Sequence, residues 1–168
     1  MAYISKNIVF EDDPDQARML RERGFGEERD GKLLVSPTEA LYLLENKRIR
    51  ITKGKKELKF KDLLSALGKE DDGLGLKYLV YKDLRSKGYV VRTGFKFGTC
   101  FRVYEKGIRV GEGHSHMLVY PVPEGKKTSM TEIGGMIQLS HSVKKAVLFA
   151  VVDGEGDVTY IKMGSVVL

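Results

Sequence analysis

Two of the three histidines in the chain, His114 and His116, lie two positions apart in the segment EGHSHMLV at residues 112–119. Histidine titrates near neutral pH, so such a residue can be a catalytic acid, a metal ligand or a polar residue on a strand edge. On a strand the two rings would face the same way and offer two ligands to a metal ion. The segment alone leaves all three interpretations open.

A metal site needs further ligands, and the sequence offers none that is obvious. Cys100 and His141 are distant from the histidine pair along the chain. A magnesium site at Glu124-Gly125-Lys126 is conceivable, but PEGKK is a composition typical of a turn. We therefore expect no metal and no other cofactor.

Tyr104 and Lys145 add two more chemical groups. In the segment FRVY, strand alternation puts Phe101 and Val103 on one face and leaves Tyr104 at the strand end, facing solvent. Lys145 ends the segment SHSVKK. A phenol whose pKa is lowered by nearby cations can remove a proton, an imidazole can donate one and an ammonium can stabilise negative charge. Together these suffice to cleave an RNA phosphodiester through its own 2′-hydroxyl. Composition alone does not single out this trio.

The composition describes a globular protein. Of 168 residues, 42% are hydrophobic and 31% are charged, and no apolar run approaches the roughly 20 residues of a membrane span. The N-terminus lacks the layout of a signal peptide, and Cys100, the single cysteine, allows no internal disulfide. We therefore expect a cytoplasmic protein. The net charge of +6 favours an anionic partner such as a nucleic acid.

Alternation, periodicity and capping signals predict the elements. Ser36 with Glu39 forms a capping box, and Ser129 with Glu132 can cap a late helix. The glycine-rich segment GKEDDGLG at 68–75 predicts a boundary, giving domains 1–72 and 73–168. The pattern indicates an α/β (α+β) protein, with a small N-terminal α/β domain followed by a domain whose sheet is flanked by helices. Predicted helices are 14–24, 36–48, 60–68, 76–88 and one from 129 through SHSVKK; the helix 76–88 has Leu76, Leu79, Val80 and Leu84 on one side. Predicted strands are 32–35, 48–52, 89–93, 99–105, 116–122, 146–153 and 158–163. A turn with Gly94 and Gly98 joins 89–93 to 99–105, and a turn at 153–157 joins the last two strands.

The segments GYVVRTGFKFGTCFRVYEKG, GHSHMLV and LSHSVKKAVLFAVVDGEGDVTYIKM resemble the catalytic domain of the archaeal tRNA-splicing endonucleases. The resemblance covers about residues 76–162, and SPTEALYLLE and KYLVYKDLR look like the family's short-chain form. It implies a nuclease domain with a mixed sheet, Tyr104 as general base, His114 as general acid and Lys145 as the stabiliser of transition-state charge. Lys144 is the alternative to Lys145, and His116 is then an edge residue.

The same resemblance implies the substrate and the products. The family excises introns from precursor tRNA at bulge-helix-bulge sites without a metal, leaving 2′,3′-cyclic phosphate and 5′-hydroxyl ends. Relatives usually clamp a bulged base between two arginines. Here Gln138 takes the first position and no arginine follows Arg109. That departure favours a rival, a non-catalytic architectural subunit, although such subunits generally lose the tyrosine, histidine and lysine.

Two charged segments are relevant to which partners the chain binds. The basic run at 47–61 has eight basic residues and one acid, Glu57, which suits either RNA phosphates or a solvated hairpin edge. A basic RNA-binding module without chemistry is thus a third hypothesis.

Short chains of this family form tetramers through an acidic loop, and DGEGD at 153–157 matches its position. We therefore expect a homotetramer, although DGEGD also suits an ordinary hairpin turn and the terminal GSVVL suits either an interface or a core strand.

Overall fold

The computed structural model describes residues 1–93, 101–108 and 113–168. Contacts divide the chain into two compact units. The first contains Met1–Tyr78, and the second contains the described residues from Leu79 onwards. The predicted two-domain α/β organisation is confirmed, while the exact boundary at 72/73 stays a prediction.

The first unit is built on a six-stranded sheet with the order β3-β4-β2-β1-β5-β6. Its neighbouring strands are antiparallel except for β1 and β5, which run parallel. The elements are β1 (Ala2–Ser5), β2 (Ile8–Glu11), α1 (Pro14–Glu22), β3 (Glu27–Arg29), β4 (Lys32–Val35), α2 (Pro37–Glu45), β5 (Ile51–Lys53), β6 (Lys56–Glu57), α3 (Phe60–Leu67) and α4 (Leu74–Ser86), the last of which continues into the second unit.

Four strands of this sheet, β1, β2, β3 and β6, were not predicted. β1 and β2 are joined by Lys6 and Asn7, which have φ angles of 47° and 61°. Such a turn is usually signalled by Asn-Gly, because glycine readily adopts positive φ. Because no glycine occurs in this turn, the sequence gives only a weak signal for the hairpin.

Helix α2 begins where its capping box predicts but ends sooner than expected. Ser36 Oγ accepts from the Glu39 backbone N–H, and the Glu39 carboxylate accepts from the Ser36 N–H at 2.9 Å. The C-cap is Asn46, and Lys47 turns the chain with a φ of 54°. The expected strand at 48–52 consequently starts only at Ile51.

The second unit contains a five-stranded sheet with the order β11-β10-β9-β8-β7. β9 and β10 are parallel and the other neighbours antiparallel, so the predicted mixed sheet is confirmed. The expected turn with Gly94 and Gly98, and residues 99 and 100 of the expected strand, lie outside the described residues. The elements after α4 are β7 (Val90–Thr93), β8 (Phe101–Tyr104), β9 (Met117–Pro123), α5 (Met130–Val143), β10 (Ala146–Val152) and β11 (Val158–Met163).

Helices cover both faces of this sheet. On one face, the buried pair Leu118 and Val147 packs against side chains of α5, including Leu139. Phe101 is opposite Val119 in the β8–β9 register, which places it on the other face, where its ring lies 5.8 Å from that of Tyr81 in α4. The expected helix–sheet–helix arrangement of the second domain is therefore present.

The buried face of α4 differs from the predicted stripe. Val80 and Leu84 are buried as expected, but Leu76 is half-buried and Leu79 is 38% exposed. Tyrosines 78 and 81 are buried instead. Tyr78 donates to the Glu45 carboxylate, and burial raises the pKa of the Tyr78 hydroxyl above its ordinary value. The prediction was wrong for Leu79, because the large apolar rings of the two tyrosines take up the buried positions.

A buried carboxylate gives the first testable prediction. Glu39 is 4% exposed and accepts from two backbone N–H groups, those of Ser36 and Gly26, the latter at 3.1 Å. Glu39→Ala leaves both without this acceptor, so we expect the free energy of unfolding to fall by about 2–4 kcal/mol in urea titrations. Glu22→Ala, at an exposed site, is the control. Equal midpoints for the two variants would contradict this role of Glu39.

Candidate active site

The candidate residues lie at the ends of three neighbouring strands. Tyr104 is the last residue of β8, His114 lies shortly before β9, and Lys145 immediately precedes β10. β8 is antiparallel to β9, and β9 is parallel to β10. The end of β8 and the starts of β9 and β10 therefore lie at the same end of the sheet, along the direction of the strands. The fold thus places Tyr104, Lys145 and the segment that carries His114 at the same end of the sheet.

Backbone hydrogen bonds fix the segment that carries the histidine pair. The His116 N–H donates to the Val103 carbonyl at 3.0 Å, and the His116 carbonyl accepts from the Ala146 N–H at 3.0 Å. His116 therefore lies between β8 and β10 and not on an outer edge of the sheet, which differs from the expectation. His116 is thereby held between the strands that carry Tyr104 and Lys145, and His114 lies two residues before it.

Strand alternation in β8 is as predicted, but Tyr104 is half-buried and not fully exposed. Phe101 and Val103 are buried on one face of β8, whereas Arg102 and Tyr104 are half-buried. The turn after the strand places Lys106 Nζ 5.1 Å from the centre of the Tyr89 ring. A cationic group and a second aromatic ring thus lie close to the strand end that carries Tyr104.

His114 is exposed, and the residue before it has a conformation suited to glycine. Gly113 has a φ of 98°, in a region that side-chain-bearing residues rarely adopt. A Cβ there would lie 3.5 Å from Ile108, an ordinary contact. The requirement for glycine therefore comes from the backbone turn that presents His114.

Lys144 and Lys145 have different surroundings. Lys144 is the exposed C-cap of α5, with a φ of 53°. Lys145 is half-buried; its backbone N–H donates to the Ser140 carbonyl at 3.1 Å, and its Nζ donates to Ser115 Oγ at 2.5 Å. Of the two lysines, Lys145 is the one that contacts the histidine segment.

Sequence reasoning overlooked Ser115 and Tyr89. Ser115 is 5% exposed and binds the ammonium group of Lys145. Tyr89 has its ring 6.3 Å from that of His116. Ser115 lies between two histidines in the motif that marked the site, which was the available signal. Nothing in the sequence links Tyr89 to that motif, because the link arises from sheet pairing.

The metal interpretation finds little support among the described residues. His114 is exposed, whereas His116 is half-buried, with a buried Nδ1 that has no hydrogen-bond partner within the described ranges. No group of three or more histidine, cysteine, aspartate or glutamate side chains there could hold a metal ion. Cys100 lies outside the described residues. His141 Nε2 is 3.2 Å from Ser165 Oγ, and the PEGKK segment forms the expected turn.

The substituted clamp position lies on the surface of α5. Gln138 is exposed there. An uncharged amide at this site cannot present the planar cation that a guanidinium offers to a base. If this surface faces the substrate, its contact with a base must therefore differ from that of an arginine.

The acidic loop between β10 and β11 is the predicted hairpin turn. Asp153 Oδ1 accepts from the backbone N–H groups of Glu155 and Asp157, each at 2.9 Å. The Asp153 N–H donates to the Asp157 carbonyl at 3.0 Å. Asp153 therefore organises the loop, while Glu155 and Asp157 are exposed. An ordered turn and a docking loop are compatible.

The basic run forms the exposed side of β5 and β6 and continues into α3. All eight of its basic residues are exposed, whereas Ile51 and Leu58 are buried beneath them. Arg50 pairs with Glu57 at 4.0 Å, and Lys56 pairs with Asp62 at 3.5 Å. Both interpretations of this run, phosphate binding and a solvated edge, stay open.

Two family models match the sequence. One describes the catalytic C-terminal domain of tRNA intron endonuclease and matches residues 74–160; the other describes the N-terminal domain and matches residues 2–64. The chain belongs to the tRNA intron endonuclease family. Each model of this family covers most of one compact unit, so the prediction of an enzyme of this type is confirmed.

Archaeal relatives in this family match along most of their length. The tRNA-splicing endonuclease of Thermococcus kodakarensis is 40% identical over 162 residues, covering 96% of this chain and 95% of that protein. That of Pyrococcus furiosus is 41% identical over 162 residues, covering 96% and 93%. That of Methanococcus maripaludis is 40% identical over 153 residues, covering 90% and 86%. Among the described residues, no helix is long and apolar enough to cross a membrane.

The helix end beside Lys145 gives a second prediction. Lys144 occupies a left-handed conformation that glycine adopts without strain, so Lys144→Gly should raise the free energy of unfolding by about 1 kcal/mol. Ser142→Gly, two residues earlier inside α5, should lower it by roughly 0.5 kcal/mol. Urea titration of both variants measures the difference. Destabilisation by both would show that the left-handed cap is not formed.

Proposed function

We propose that this chain excises introns from precursor tRNA by cutting at bulge-helix-bulge sites. The observation that carries the proposal is that strand pairing puts Tyr104, Lys145 and the segment containing His114 at the same end of the second sheet. The relatives named above are tRNA-splicing endonucleases, and they match almost the whole chain. The bulge-helix-bulge preference rests on resemblance to the family.

The proposed reaction uses the RNA's own 2′-hydroxyl. Tyr104, acting through its phenolate oxygen, accepts the 2′ proton, and the 2′ oxygen attacks the adjacent phosphorus. His114 protonates the departing 5′ oxygen, while the Lys145 ammonium stabilises the extra negative charge on the phosphate oxygens. The products are a 2′,3′-cyclic phosphate and a 5′-hydroxyl. The P–O bonds that form and break lie within the RNA, the proton that Tyr104 takes up is matched by the one that His114 gives, and no step uses a metal ion.

The two rival hypotheses account for fewer features of the site. An architectural subunit has no need of a tyrosine, a histidine and a lysine at one sheet edge, nor of an ammonium bound to a buried serine beside them. An RNA-binding module without chemistry accounts for the basic run alone. The geometry therefore favours catalysis over both.

We also propose that four copies assemble through the acidic loop. Asp153 holds the turn, which leaves the Glu155 and Asp157 carboxylates exposed for a basic surface of a neighbouring copy. A bulge-helix-bulge has two cut sites, so two active sites must be held in a fixed relation. One chain supplies one active site, and assembly supplies the second.

Cleavage without metal is the third prediction. In EDTA, the chain should cut a bulge-helix-bulge RNA, leaving cyclic phosphate ends, but should not cut the same RNA with 2′-deoxy residues at both cut sites. Gel analysis of end-labelled RNA measures both. His114→Ala should slow cutting by roughly 100-fold or more, because proton donation to the leaving oxygen is lost. His141→Ala is the matched control and should cut normally.

Other outcomes of that experiment point elsewhere. Binding of the RNA without cleavage would favour the architectural subunit or the binding module. Cutting only after addition of a divalent metal would return His114 and His116 to consideration as ligands. Cutting of the 2′-deoxy RNA would exclude the proposed nucleophile.

Assembly gives the fourth prediction. Replacing Glu155 and Asp157 together by alanine should shift the chain from tetramers to smaller species in sedimentation velocity, because the docking charges are lost. Glu22→Ala with Asp72→Ala removes the same charge from other exposed positions and should leave the tetramer intact. A tetramer unchanged in the loop variant would rule out docking through these carboxylates.

A further inference from the structure

A buried serine lies beside the proposed catalytic lysine. Ser115 is 5% exposed, and its Oγ accepts from Lys145 Nζ at 2.5 Å. The two residues lie just before the starts of neighbouring parallel strands, β9 and β10. Neither the proposed mechanism nor the resemblance to the family assigns a role to this hydroxyl.

The two ends of Lys145 are constrained differently. Its backbone N–H is bonded to Ser140 at the end of α5, which fixes the Cα. The side chain has four rotatable bonds, and holding it in one conformation costs up to about 2 kcal/mol of rotamer entropy. Among the described residues, the hydrogen-bond partner of its ammonium is Ser115. That hydroxyl therefore determines where the charge is placed.

The residue that follows the serine is tied to two strands. The next residue, His116, is hydrogen-bonded to Val103 on one side and to Ala146 on the other. A buried side chain on such a segment has little freedom to follow a moving lysine. An ammonium has three N–H donors, so two remain for phosphate oxygens while the third binds Ser115.

We propose that Ser115 is a positioning residue that holds the Lys145 ammonium where the charged phosphate forms. This inference rests on the proposed function of Lys145. A preorganised donor is effective because it does not have to be reoriented during the reaction. Loss of the hydroxyl should therefore slow the chemical step and leave binding of the RNA nearly unchanged.

The test is a double-mutant cycle on single-turnover cleavage of the bulge-helix-bulge RNA. At saturating enzyme, Ser115→Ala should lower the cleavage rate by about 10- to 100-fold, the range expected for a hydrogen bond to a charged group. The enzyme concentration that gives half the maximal rate should stay within about twofold of the wild-type value. Ser115→Thr should restore most of the rate. In a Lys145→Ala background, Ser115→Ala should lower the rate no further. Ser142→Ala, on the exposed side of α5, is the matched control.

Three results would overturn the inference. The first is an equal fold loss in both backgrounds, which would show that Ser115 acts independently of Lys145. The second is a wild-type rate in Ser115→Ala. The third is a loss of cleavage rate in Ser115→Ala that is accompanied by a lowered melting temperature of that variant. If Ser115→Thr does not fold, the cycle decides alone.

Failure of the proposed function would look different. A wild-type chain that binds this RNA without cutting it would remove the nuclease proposal. A cutting chain that tolerates Lys145→Ala would remove the role of the lysine. A cutting chain that loses its rate with Lys145→Ala but keeps it with Ser115→Ala would remove the serine inference alone.

Discussion

The parallel pairing of β9 with β10 determines where the candidate site forms. The two strands are in register over seven residue pairs, from Met117 with Ala146 to Pro123 with Val152. If β10 ran the other way, Lys145 would lie at the far end of the sheet, about 20 Å away at roughly 3.3 Å per residue. Parallel pairing requires a crossover, and α5 provides it. The helix between the strands is therefore a requirement of the site's geometry.

The start of that crossover helix depends on local capping. Ser129 Oγ accepts from the Glu132 N–H at 3.2 Å, and the Glu132 carboxylate accepts in return from the Ser129 N–H at 2.8 Å. The Ser129 N–H and the Thr128 hydroxyl hold the pKa of the Glu132 carboxyl below its ordinary value. The other end of α5 closes on Lys144 and leads directly into β10. Local signals at both ends thus decide the position of Lys145.

How much the sequence predicts depends on how local the signal is. The capping boxes at Ser36 and Ser129 are complete within four residues, and both helices begin where expected. The hairpin at Lys6 and Asn7 has no glycine to mark it, and α4 buries tyrosines where aliphatic residues were expected. Strand order is a long-range property, so periodicity could not show that three strand ends meet. The motif resemblance indicated Tyr104, His114 and Lys145; the contact between Ser115 and Lys145 became visible only with side chains in place.

The connection between α5 and β10 is very short: Val143 ends the helix and Ala146 begins the strand. Successive residues of a strand point to opposite faces, so the number of residues in this link sets the side on which the lysine projects. Adding one residue would turn Lys145 away without altering its identity. Insertions and deletions should therefore be far less tolerated here than substitutions at Lys144, and a search for active members of the family would do well to check the length of this link as well as the lysine itself.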